Sequence, residues 1–258
     1  MALTAHPSSP ETRSIVPFAG TELLLLSIAQ IVASQAPEWF GIGRNVAEQS
    51  AATSHPLVPL GPAFAIWGVI YLYGIVSGVW AMRHYSSVAL KAAGWHLALI
   101  WLMNAVWSVW VPVSGIDWVS FVIIAISVIS GITGLVKLNG LTLTKAEKGF
   151  IVAPLALVTG WVTAAMVVNF TSALVAANAV VDPREVMVST GFLLGLIALG
   201  GTLVYTARSA IYAVPLVWAL GWIAAANVTR QNEPLMAFTA VIGIGLLLVM
   251  TVVVKRRA

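Results

Sequence analysis

Trp161-Val-Thr-Ala-Ala165-Met-Val-Val-Asn169 sets an indole, a small residue and an amide four positions apart in an otherwise apolar run. Helical spacing puts all three on one face. An amide turned toward lipid leaves donors and acceptors unsatisfied at a cost of several kcal/mol, so this face must point into a bundle or a cavity. Trp67-x-x-x-Tyr71 and Asn104-x-x-Trp107-Ser108 repeat the pattern in two other apolar segments. Such faces predict helices arranged around a tryptophan-lined interior.

The 258-residue chain around them is 60% hydrophobic and 9% charged, with a mean hydropathy of +0.96. That balance excludes an ordinary soluble domain, and long apolar runs with short breaks predict spanning helices of about 20 residues. Strict alternation is absent, which argues against an outer-membrane barrel. The expected fold is all-α: a polytopic transmembrane helix bundle of eight spans near 19–37, 61–83, 93–112, 118–137, 150–174, 187–206, 209–227 and 235–254. The span at 209–227 is the least regular, because Pro215 interrupts it. Residues 1–18, polar and carrying Pro7 and Pro10, are expected to form a mobile tail. Leu23 to Val32 also resembles a signal-peptide core, but is read as part of the first span.

Charge tests the count independently, since translocated loops are poor in Lys and Arg. With both termini cytoplasmic, Arg13, Arg83, Lys91, Lys137, Lys145, Lys148, Arg208, Lys255, Arg256 and Arg257 fall inside. Arg44, Arg184 and Arg230 fall outside, and ten plus three recovers all 13 basic residues. The one long loop, from about Ala36 to Leu60, then lies on the non-cytoplasmic side with Trp39, Gly41, Gly43, His55, Pro56 and Pro59, Pro62 following it. It reads equally as a lid over a site or as a loosely packed surface segment.

The net charge is only +4, with basic residues scattered rather than gathered on a face, so nucleic acid is not an expected partner. Without cysteine there is no disulfide, thiolate metal site or nucleophilic thiol. No metal-ligand spacing, catalytic triad or phosphate loop is evident, so no catalytic residue is named. A retinal Schiff base fails for want of a lysine inside the seventh or eighth span. Glu22 and His96 are the ionisable residues nearest the membrane interior, each with a bland reading at a helix mouth or interface. Gly191-x-x-x-Gly195 is expected to serve packing within the chain rather than dimerisation. Asn169-Phe-Thr and Asn227-Val-Thr match a glycosylation acceptor only formally.

Of the 11 tryptophans, Trp39, Trp80, Trp95, Trp110 and Trp118 lie near span ends, where indoles suit the headgroup layer. Trp67, Trp101, Trp107, Trp161, Trp218 and Trp222 lie deeper. Two readings stay open for the Trp and Asn faces: interhelical packing glue, or a pocket in which indoles stack on a flat ligand and Asn104 and Asn169 orient it.

Taken together, these motifs resemble the TspO/MBR family, the tryptophan-rich sensory or translocator proteins. Pro59 before Trp67-x-x-x-Tyr71 is similar to that family's proline-rich approach to its second helix. Asn104-x-x-Trp107-Ser108 looks like its Asn-x-x-Trp-Ser signature, and Pro154 with Trp161, Ala165 and Asn169 resembles its fifth helix. Gly61 to Tyr71 resembles a longer bacterial branch. Leu155 stands where the family pattern has tyrosine, and the aromatic before Trp67 is shifted by one position.

The resemblance implies a five-helix core at 19–177, with three additional helices and a basic tail at 178–258. It implies that Trp67, Tyr71, Asn104, Trp107, Trp161, Ala165 and Asn169 line or support a pocket for a porphyrin, haem or other hydrophobic pigment, held without a covalent bond. The expected setting is the bacterial inner membrane, and the expected role is sensory or binding rather than enzymatic. The alternative is a structural or assembly subunit of a larger, pigment-containing membrane complex; a homodimer is also compatible.

Overall fold

The computed structural model describes residues 20–256, so the expected tail at 1–18 lies outside the described residues. Its helices are α1 (Thr21–Trp39), α2 (Val46–Ala52), α3 (Gly61–Arg83), α4 (Val88–Ser114), α5 (Trp118–Leu138), α6 (Lys145–Ala176), α7 (Val186–Ala207), α8 (Ala210–Thr229) and α9 (Pro234–Lys255). No strand occurs among the described residues. Side-chain oxygens fix several starts. Ser87 caps α4 by accepting from the Leu90 N–H, and Asp117 and Ser120 form a reciprocal capping box on α5.

The helices α3 to α9 are long and apolar enough to cross a membrane, and the protein is a multi-pass integral membrane protein. The segment expected as a further span forms α1, but Gln30, Gln35 and Glu38 leave it less apolar than the other seven. It packs along α3 and α4. Proline does not break α8, which runs unbroken through Pro215. The long loop is shorter than its sequence suggests, because α1 continues to Trp39 and Asn45 caps the short helix α2 by accepting from the Glu48 N–H at 2.9 Å.

Helix α6 is the hub. It packs against α3, α5, α7 and α8, and 72% of its apolar stretch is buried, against 33–50% for the other six spanning helices. Close approach on the α8 side requires Gly160, where a Cβ would collide with the Tyr212 carbonyl and stand 2.7 Å from Pro215 Cγ. The C-terminal helices α7 and α8 are therefore packed onto the same central helix as α3 and α5, and α9 packs on these two. Gly191 and Gly195 have no such role: a Cβ on either would meet nothing within 4 Å, so the expected packing within the chain is not what they do.

Alternation of the helices gathers Arg83, Lys91, Lys137, Lys145, Lys148, Arg208, Lys255 and Arg256 at one end of the bundle. Only Arg44, Arg184 and Arg230 lie at the other among the described residues. His96 belongs to the basic end, where Nδ1 meets Ser130 Oγ at 3.2 Å and Nε2 accepts from Lys137 Nζ at 2.9 Å. Glu22 lies exposed in the first turn of α1.

Candidate functional site

The three polar-aromatic faces converge near the end opposite the basic one. Trp67 from α3, Asn104 and Trp107 from α4, and Trp161, Ala165 and Asn169 from α6 line one cavity. Trp107 Nε1 donates to Asn169 Oδ1 at 3.1 Å, and Asn169 Nδ2 donates to the Ala165 carbonyl at 3.0 Å. Asn104 Nδ2 donates to Gln30 Oε1 of α1 at 2.8 Å. The amides thus lock the helices in register, while the indole faces form the wall. Trp161 stands edge-on to both Trp67 (6.2 Å, 88°) and Phe64 (6.3 Å, 85°), the geometry favoured by ring quadrupoles. Its buried Nε1–H has no hydrogen-bond partner among the described residues.

Tyr71 does not reach this cavity. It stacks on Trp67 at 5.5 Å and lines a neighbouring space. Asn169 and Asn227, the two formal glycosylation acceptors, are both buried.

The sequence reading missed the cavity's remaining walls. Val46 and Ser50 of α2, Pro59 of the loop and Phe64 close the loop end, and Ala219 and Ile223 close the α8 side. None of the lining residues is titratable. The cavity's volume is about 60 Å³. At roughly 10–15 Å³ each, that is room for a few waters and not for a flat polycycle. Something must move before a large ligand enters.

The closing element is the strap 55–59, buried along its length rather than a loosely packed surface segment. A buried loop carries backbone polar groups that need partners, and the end of α8 with the two residues that follow it supplies donors. Gln231 Nε2 donates to the His55 carbonyl at 2.9 Å, Asn227 Nδ2 to the Pro56 carbonyl at 2.7 Å, and Arg230 Nη2 to the Val58 carbonyl at 2.8 Å. Just beyond, Trp218 Nε1 donates to the Ala63 carbonyl at 2.8 Å. At about 1 kcal/mol net for each bond, this clasp makes opening the strap cost a few kcal/mol.

His55 pins the strap from the other side. Its Nδ1 accepts from the Leu57 N–H at 3.3 Å, which places the proton on Nε2, and Nε2 faces Thr171 Oγ1 and Ser172 Oγ at 3.1 Å each. Burial pushes the imidazole pKa down to about 4, opposed by the Val168 carbonyl and reinforced by Arg230, with Asp182 a weaker opposing charge. The ring is neutral at pH 7.

A clue to the clasp was present in the sequence. Asn227, Arg230 and Gln231 cluster at the end of an apolar span, but nothing in their spacing names the loop carbonyls they serve.

A family model described as TSPO-like protein matches residues 21–253, which takes in the three C-terminal helices as well as the first five long ones. No curated protein and no solved structure matches the chain.

Proposed function

This chain belongs to the TSPO-like protein family, and from that premise we propose that it is a membrane binding protein for a flat hydrophobic molecule of tetrapyrrole type. The observation that carries the reading is the convergence of Trp67, Trp107 and Trp161, from different helices, on one cavity beneath a clasped strap. Indole faces suit a conjugated macrocycle, and Asn104 and Asn169 keep the walls in register. A lining without titratable groups favours holding a ligand over acid–base turnover of it. The positive-inside rule favours the basic end as the cytoplasmic one, with the strap on the far side of a bacterial inner membrane. The role we infer is sensory: occupancy displaces the strap, and that change is what a partner reads.

The test is a titration of the protein in nanodiscs with protoporphyrin IX, followed through tryptophan quenching and repeated on Trp107→Ala and Trp161→Ala. Saturable quenching in the parent, weakened at least about tenfold in either variant, is expected for hot-spot aromatics. Equal affinity in the parent and both variants overturns the assignment of the pocket.

A further inference from the structure

Helices α1 and α3 are close at the basic end and apart at the other. A Cβ on Gly78 would sit 2.6 Å from Leu24 Cα, and one on Gly74 would meet Ser27 Cβ and Gln30 Nε2 at 3.3 Å. Continuing along the same stripe, in steps of three and four, α3 carries Tyr71, Trp67 and Phe64. Glycines let the two backbones touch, and beyond them the aromatic residues face a space they share with Ser34 and Gln35 of α1. This space is a vestibule of about 380 Å³, edged by Ser34, Gln35, Asn45 and Ser108.

The vestibule and the inner cavity share Val46, Phe64, Trp67 and Trp107. These side chains are the partition between them. Phe64 stands on the 3-10 turn Gly61–Ala65, a winding with poorer hydrogen bonds than an α-helix and the part of α3 easiest to distort.

We propose that this vestibule is a lateral portal and the outer half of the binding site, taking an amphipathic flat molecule from the bilayer between α1 and α3. The ligand's hydrogen-bonding edge rests on Ser34, Gln35 and Asn45, while its apolar body passes Phe64 and Trp67 into the inner cavity. Room lacking inside is supplied by joining the two spaces. The proposal rests on the inner cavity being the ligand site.

The absence of cysteine makes a clean test. Gln35→Cys, at an exposed vestibule position, is coupled to a bulky maleimide in nanodiscs, and protoporphyrin IX binding is followed by stopped-flow quenching. Val180→Cys, on a fully exposed loop residue, carries the same adduct as control. The expected result is association slowed about tenfold or more by the Gln35→Cys adduct and Kd raised more than about threefold, because the adduct fills the outer half of the site, with both within about threefold of the parent for the Val180→Cys adduct. Unchanged rates, or equal slowing from the Val180→Cys adduct, overturn the portal while leaving the inner site standing. Absence of saturable quenching in the unlabelled parent overturns the inner site and the portal with it.

Discussion

Asn227 donates a 2.7 Å hydrogen bond to the carbonyl of Pro56, 171 residues earlier in the chain. The same amide nitrogen also donates to the Ile223 carbonyl of its own helix at 2.8 Å. Helix α8 is thereby part of the site's closure, and the buried strap has the donors that a loop in that place requires.

Asn227→Ala removes the donor from Pro56 and leaves a buried carbonyl unpaired, which costs about 1–3 kcal/mol. The bundle is expected to stay folded while the strap loosens. Hydrogen–deuterium exchange in nanodiscs checks this: amides of residues 54–63 should exchange faster, with those of α6 unchanged.

Two tryptophans of the same cavity should respond in opposite directions to loss of the indole N–H. Trp107→Phe breaks the bond to Asn169 and is expected to destabilise by about 0.6–1.7 kcal/mol, the span of polar pairs within membranes. Trp161→Phe removes a buried N–H that has no partner, and is expected to leave stability unchanged or raise it by up to about 1 kcal/mol. Unfolding in mixed micelles with increasing SDS distinguishes the signs.

His55 gives the strap a dependence on pH. Its pKa in the folded protein, about 4, lies below the ordinary 6.5, so the neutral ring is what docking stabilises. The contribution is complete above about pH 6.5, is withdrawn as pH falls from there toward 4, and is flat below. A second proton would have to go on Nδ1, where it meets the Leu57 N–H. The groups facing the ring are the Thr171 and Ser172 hydroxyls, the Val168 carbonyl, Arg230 and Asp182. Exchange of the strap amides, after correction for intrinsic rates, is expected to rise between pH 6.5 and 4, and His55→Gln is expected to flatten that rise.

Gly160→Ala places a methyl group against the Tyr212 carbonyl and Pro215, both of them poorly able to yield. Overpacking of this kind costs about 1–3 kcal/mol. A thermal-unfolding midpoint in detergent lower than the parent's is expected, whereas Gly191→Ala, with open space around it, should leave the midpoint unchanged.

Much of this was legible in the residue pattern. Trp67, Asn104, Trp107, Trp161 and Asn169 announced themselves because an amide or indole recurring at helical spacing has no favourable place in lipid. The helix boundaries followed from apolar run length, apart from α4 and α6, which begin five residues earlier than the expected 93 and 150 because Ser87 and Thr144 cap them. Phe64, Ala219 and Ile223 were not legible as cavity walls, since an apolar residue lies as comfortably against lipid as against a cavity. His55 was equally silent: a lone histidine in a loop does not disclose that two hydroxyls on a distant helix will enclose it.

By itself the sequence determined that this is a bundle of membrane helices, which faces of three of them turn inward, and which end of the bundle is basic. Those properties depend on local periodicity and on transfer free energies, which each segment carries independently. Only the tertiary structure decided that α8 clasps the strap, that the cavity is closed to all but a few waters, and that α1 and α3 part where aromatics succeed glycines. Each of these depends on which helices become neighbours, and in a bundle uniformly apolar on the outside, contacts between distant segments select the neighbours.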